Sequence, residues 1–162
     1  MNKVYLLIGG NIGNRMANLQ LATAHILKET GVLVKSSSVY ETEAWGPIEQ
    51  PLFLNQVLVI ETELSATDLL THLLLIEQIM GRSREVPMGP RTIDIDILYF
   101  NDEIINSPML TIPHPRISER KFVLLPLCEI APHFLHPVLH KNNALLLKEC
   151  GDSLAVYKKT EI

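Results

Sequence analysis

The constraint that bears hardest on this chain is the order in which two kinds of apolar periodicity alternate along it. "KVYLLIG" (Lys3 to Gly9) is a short apolar run with a glycine end, which reads as a strand. "NRMANLQLATAHILKETG" then puts Met16, Leu19, Thr23, Ile26 and Leu27 on one helical face, and Gly31 suits its C-terminal stop. "VLVKSSSVYET" is a half-polar, β-branched strand. "EAWGPIEQP" is a loop by its prolines and glycine, and "FLNQVLVIETEL" is a third strand. "SATDLLTHLLLIEQIMG" opens on the capping box Ser65-x-x-Asp68 and closes at Gly81, so it is a second helix. A charged loop, "RSREVPMGPR", leads to the fourth strand, "TIDIDILYF". The order β-α-β-β-α-β predicts a ferredoxin-like α+β fold, an antiparallel sheet with two helices on one face. The remainder predicts a hairpin and loop over "NDEIINSPMLTIPHPR", a short helix over "SERKFVLLPLCEIAP" and a further helix over "NNALLLKECG". With 162 residues and no linker or repeat, residues 1–162 are expected to form one domain.

Composition narrows the function. The chain is 47% hydrophobic and 20% charged, with net charge −4. General nucleic-acid binders are usually basic, which counts against that class. No apolar run reaches membrane-spanning length, and the N-terminus lacks the flanks of a secretion signal. Cys128 and Cys150 form no Cys-x-x-Cys, which fits reduced, structural thiols and a cytoplasmic setting.

The fourth strand carries the sharpest signal. Ile93, Ile95 and Ile97 alternate with Asp94 and Asp96, so two carboxylates share one face, roughly 6–7 Å apart at a rise of about 3.3 Å per residue. Aspartate is depleted in strands. Polar residues on a solvent face would explain the pattern, and so would a hard divalent cation held with phosphate oxygens and water. Arg82, Arg84 and Arg91 lie just upstream, and His114, Arg116 and Arg120 lie beyond. Isolated surface ion pairs contribute little. Guanidiniums gathered beside a carboxylate pair in an acidic chain instead suit a polyphosphate with Mg²⁺.

Other features carry less. Trp45, Phe53 and Asn55 suit a flat heterocycle, and positions 53 and 55 share a strand face, although on residues alone core aromatics and a turn amide account for them better. The loop "GGNIGNR" matches neither the Walker nor the dinucleotide pattern and reads as a tight connection that admits a close backbone approach. His133, His136 and His140 sit among prolines with no cysteine pair, which argues against zinc. Glu77, one turn before Gly81, reads either as solvent-facing charge or as an acceptor for a nucleotide or an arginine. On residues alone, three classes stay open. They are a Mg²⁺-dependent nucleotidyl- or phosphotransferase, an RNA-binding module of the same fold, and a nucleotide-binding regulatory domain.

Taken together, "YLLIGGNIGNR", "VYETEAWG", "EQPLFLNQV", "GRSREVPMGPRTIDIDILYF" and "LTIPHPRISERKFVLLPLCEIAP" resemble the 6-hydroxymethyl-7,8-dihydropterin pyrophosphokinase family of folate biosynthesis over nearly the whole chain. The resemblance implies transfer of an intact pyrophosphoryl group from ATP to the pterin hydroxymethyl, with release of AMP. It implies two Mg²⁺ ions on Asp94 and Asp96, and Arg82 and Arg91 nearest the chemistry. Glu77, Arg84, Ile97, Thr111, His114 and Arg120 fall on its nucleotide side. Thr42, Glu43, Trp45, Phe53, Asn55 and Phe122 fall in its pterin pocket, with Phe53 and Phe122 sandwiching the ring and Asn55 reading its edge. It implies small-molecule substrates only, no nucleic acid or membrane partner, and a monomer or weak homodimer. The chain departs from the pattern at Gly10, where the family usually has Ser, and at Met88, where it usually has Trp. Its arginine loop is one residue shorter than in some members. That loop is expected to be mobile without ligand and ordered with both substrates.

Overall fold

The computed structural model describes residues 1–44, 46–81 and 90–159. β1 (Asn2–Gly10) lies between β4 (Phe53–Thr62) and β5 (Asp94–Phe100) and pairs antiparallel with both. The expected second strand is divided into β2 (Val32–Ser36) and β3 (Tyr40–Thr42), which pair in turn with the two ends of β4. The division is made by Ser37. Its backbone N–H donates to the Val57 carbonyl, and its hydroxyl accepts the Val57 N–H, both at 2.9 Å. A side chain thereby replaces one rung of the ladder and lets the chain step sideways. The resulting order, β5-β1-β4-β3 with β2 also on β4, is that of the ferredoxin-like fold.

α1 (Arg15–Glu29) and α2 (Ala66–Ile79) cover one face of the sheet. Asn14 caps α1 by accepting the Ala17 N–H, and Ser65 caps α2 by accepting the Asp68 N–H. Leu19, Ala22 and Ile26 form the buried stripe of α1, with Met16 and Leu27 at its margins. Gly81 ends α2 at φ +85°, a left-handed backbone that suits glycine.

The C-terminal extension covers the other face. A hairpin of β6 (Ile105–Asn106) and β7 (Thr111–Ile112) is followed by a 3-10 turn at Ile117–Glu119, then α3 (Lys121–Ile130) and α4 (Asn143–Glu149). α3 and α4 pack on Tyr5, Leu7, Val57, Val59, Leu98 and Tyr99. The fully buried Tyr99 donates its hydroxyl to Asn143 Oδ1 at 2.8 Å, and Asn143 Nδ2 donates to the Ala131 carbonyl, which fixes the two helices to the sheet. A last strand, β8 (Val156–Lys158), pairs with β3 and was not expected from the sequence. Among the described residues no helix is long and apolar enough to cross a membrane.

Candidate active site

Register decides which side chains meet. Gly9 pairs with Asp94 on one side and Asn55 on the other, Leu7 with Asp96, Tyr40 with Asn55, and Thr42 with Phe53. These residues therefore share the face that α3 and α4 cover farther along, while Ile95 and Ile97 point to α1 and α2. Where the helical cover ends, the floor of this face turns from apolar to polar. A cavity of about 80 Å³ opens there, lined by Leu7, Gly9, Thr42, Glu43, Phe53, Asn55, Arg91, Asp94, Asp96, Arg120 and Phe122. The expected carboxylate pair, two of the expected arginines and most of the expected aromatic-and-amide cluster are thus brought together.

Asp94 and Asp96 are half-buried. Arg91 Nη1 lies 3.2 Å from Asp94 Oδ2, and its guanidinium sits over the Phe53 ring at 5.3 Å. Arg120 stands over Phe122 at 5.6 Å. Burial lowers the Arg120 pKa, and the Asp96 and Asp94 carboxylates oppose that shift. Asn55 is 4% exposed, and among the described residues its Nδ2 has no hydrogen-bond partner. Leaving such a donor unmatched costs about 1–3 kcal/mol, so the cavity favours a ligand that offers an acceptor there. Gly9 is needed beside it, because a Cβ would run into Asn55 Oδ1.

One site-shaping residue was not singled out from the sequence. Asn11 is 3% exposed and ties two pocket segments together. Its backbone N–H donates to the Arg91 carbonyl, and its Oδ1 accepts the Arg91 N–H, both at 3.0 Å. Its Nδ2 donates to Gln50 Oε1 and the Pro51 carbonyl. Gly10 makes room for this contact, since a Cβ would strike the Thr92 carbonyl. The close approach expected of the glycine loop is therefore made to residues 91–92 of the same chain. A polar residue directly after a Gly-Gly strand end was the available signal.

Glu77 is 3% exposed, so the solvent-facing reading fails. Its Oε2 accepts the Ile95 N–H at 2.7 Å, on the edge of β5 that, among the described residues, no main-sheet strand covers. Ile97 is 4% exposed within the apolar layer under α1 and α2, on the face opposite the aspartates. His114 donates its backbone N–H to the Leu98 carbonyl, and its Nδ1 accepts the Arg116 N–H. Burial, reinforced by Arg120 and Arg116 and opposed by Asp94, pushes its pKa down to about 4. The imidazole is neutral at physiological pH, with its proton on Nε2. His114 and the exposed Thr111 line a second hollow of about 300 Å³ with Ile105, His136 and Leu139. Arg116 does not line the first cavity, and its side chain is 49% exposed beside Glu119. His136 uses Nδ1 to accept the Val138 and Leu139 N–H groups, a turn-forming role. Cys128 and Cys150 are free thiols, and burial pushes the Cys128 pKa up to about 11, which leaves it inert. Trp45, Arg82, Arg84 and Met88 lie outside the described residues, as does the expectation about closure of their loop.

The sheet order and the polar cavity define a class, small ferredoxin-like α+β proteins with an acidic pair and arginines at the open end of the sheet. The family described as 7,8-dihydro-6-hydroxymethylpterin-pyrophosphokinase matches residues 5–132, and the chain belongs to it. It is 41% identical over 141 residues to the 2-amino-4-hydroxy-6-hydroxymethyldihydropteridine pyrophosphokinase of Aquifex aeolicus, covering 87% of this chain and 88% of that protein. With the Bacillus subtilis protein of the same name it shares 47% over 130 residues, 80% of this chain and 78% of the other. The folic acid synthesis protein fol1 of Schizosaccharomyces pombe is 43% identical over 155 residues, which is 94% of this chain and 21% of that one. Among solved structures, an HPPK-DHPS in complex with substrates superposes with TM-score 0.73 over 91% of this chain and 43% of its own, at 18% identity, a likeness of fold. The chain spans under half of that structure and about a fifth of fol1.

Proposed function

We infer that this chain transfers the pyrophosphoryl group of ATP to 6-hydroxymethyl-7,8-dihydropterin, giving the pterin diphosphate and AMP, as a step of folate biosynthesis. The observation that carries the reading is one cavity in which the buried, unmatched Asn55 amide faces the same space as Asp94, Asp96, Arg91 and Arg120. A flat hydrogen-bonding ring and a polyphosphate need those two halves within a bond of each other.

On the pterin side, Phe53 and Phe122 hold the ring between them, Asn55 donates to its edge, and Thr42, Glu43 and Trp45 complete the wall. On the phosphate side, Arg91 and Arg120, with Arg82 and Arg84, clamp the oxygens of the transferred group. Glu77, Thr111 and the neutral His114 serve the nucleotide, and Ile97, whose side chain is buried on the opposite face, can reach it only through its backbone. The donor set fits magnesium. Two half-buried carboxylates share a face, and among the described residues no larger His, Cys, Asp or Glu cluster forms, which suits an ion that keeps waters and takes substrate phosphates. Two Mg²⁺ ions held by Asp94 and Asp96 would supply charge neutralisation along the phosphates. The pterin hydroxyl oxygen bonds to the β-phosphorus as the bond to the AMP oxygen breaks, the hydroxyl proton is released to solvent, and the arginines stabilise the charge that spreads over the moving group. Fixing both substrates in line supplies much of the remaining rate. The unit is the single domain 1–162, cytoplasmic, a monomer or weak homodimer.

Nucleotide product analysis tests the reaction. With Mg²⁺, ATP and the pterin, AMP is expected to appear only when the pterin is present. Formation of ADP, or of free pyrophosphate, would replace this reading with a phospho- or nucleotidyltransferase.

A further inference from the structure

We propose that Arg15 and Glu41 form a brace behind the sheet that holds the pterin side of the cavity in shape, making them positioning residues for pterin capture. The proposal rests on the reading that Thr42, Phe53 and Asn55 face the pterin.

Arg15 is the first residue of α1. Its Nη1 lies 2.6 Å from Glu41 Oε2 and donates to the Leu52 carbonyl at 3.0 Å. One guanidinium therefore joins three segments, namely the helix that follows the glycine end of β1, the middle of β3, and the residue just before Phe53. Glu41 pairs with Leu54, whose side chain belongs to the core under α1 and α2, so the brace lies on the face opposite the cavity. The next residues along each strand, Thr42 and Phe53, pair with each other and line the cavity. A movement of Glu41 or Leu52 is thus transmitted through one peptide unit to a pocket wall.

The cores hold this corner through Tyr40, Thr42 and Leu54 but not at its margin. Leu52 is 40% exposed and Ile12 is 42% exposed. β3 is three residues long, and its outer neighbour β8 is also three. Further restraints are the pairing of β3 with β4 and β8, the Tyr40 hydroxyl donating to Glu129 Oε1 at 2.7 Å, and the Thr42 hydroxyl donating to the Ala155 carbonyl at 3.1 Å. Ordinary surface ion pairs contribute little. This one differs in that both side chains are about three-quarters buried and the arginine also satisfies a backbone carbonyl. The phosphate wall of Asp94, Asp96 and Arg91 is fastened mainly by pairing with β1 and by Asn11, whose Nδ2 also reaches the Pro51 carbonyl beside the brace. Loss of the brace should therefore displace one wall and spare the other.

The test is steady-state kinetics in which pterin and ATP are each varied, on the wild-type chain, Arg15→Ala, Glu41→Gln and the double variant, with Asn55→Ala as the control. Either single substitution is expected to raise the pterin KM about 10-fold, since small misplacements of binding groups are costly, with the ATP KM within about 2-fold. The double variant should cost no more than the worse single one, because the pair acts as a unit. Should Arg15→Ala fail to fold, Glu41→Gln, which keeps an acceptor at the same place, and Arg15→Lys decide the matter. An unchanged pterin KM, equal rises in both KM values, or additive effects in the double variant would overturn the brace. An unchanged pterin KM in Asn55→Ala would instead overturn the assignment of the pterin side.

Discussion

The two ends of the sheet face beneath α3 lie on the same strands and have opposite chemistry. At one end Tyr5, Val57, Val59, Leu98 and Tyr99 are closed over by α3 and α4. At the other, the same strands present Gly9, Asn55, Asp94 and Asp96 to an open cavity. β1 and β4 keep their alternation between the ends, while β5 shifts register by one residue at Leu98. The substitution of polar for apolar residues at equivalent alternate positions, together with the end of the helical cover, makes the difference. The floor of the site is thus a continuation of a packed core, and the first turn of α3 brings Arg120 and Phe122 over it. Rigidity at the apolar end serves geometry at the polar end.

Substitutions at the two ends should separate activity from stability. The largest effect is expected from Asp96→Ala, which should lower kcat/KM by at least about 10²-fold through lost charge stabilisation while the melting temperature changes little, since relief of repulsion from Asp94 is offset by the lost attraction to Arg120. A melting temperature that falls with activity would blur the division. At the apolar end Leu124, fully buried in α3, gives the reverse expectation. Leu124→Ala should cost about 3 kcal/mol in urea unfolding, with turnover of the folded fraction far less affected. Acid should act on the border between the ends. His114 has a folded pKa of about 4, below its ordinary 6.5. Between those values the unfolded chain takes up the proton and the folded chain does not, so stability falls as pH drops from about 6.5 towards 4. The expected loss is on the order of 2 kcal/mol, given the partial exposure of the ring. His136, also shifted down by burial and by His140, adds in the same direction. Melting curves of the wild type and His114→Gln at neutral and acid pH would check this, and identical acid sensitivity would remove His114 from the account. The smallest effect belongs to the junction itself. Gly9→Ala forces Asn55 to shift, and the pterin KM should rise about 10-fold, near 1.4 kcal/mol, with little change in the ATP KM.

Much of this layout was legible in the sequence because it is local. Alternation in "TIDIDILYF" put both aspartates on one face, and Ser-x-x-Asp announced the start of α2. What escaped depends on distant partners. The break between β2 and β3 is made by a serine hydroxyl bonded to Val57, twenty residues on. Glu77 kept two readings open, surface charge or acceptor, because its partner, the Ile95 N–H, is eighteen residues away. Asn11 acts on Arg91, eighty positions downstream, and no spacing rule connects them. β8 is too short to stand out from its surroundings and exists because β3 offers an edge. The pterin assignments came from family resemblance, since an aromatic pair and an amide are equally at home in an ordinary core.

The most direct test of the central claim is a crystal structure with Mn²⁺ in place of Mg²⁺, a non-hydrolysable ATP analogue and the pterin, read by anomalous scattering. The account predicts metal peaks at coordination distance from both Asp94 and Asp96, with the pterin ring between Phe53 and Phe122 and its edge on Asn55. Metal bound elsewhere, or a ring outside that slot, would contradict it.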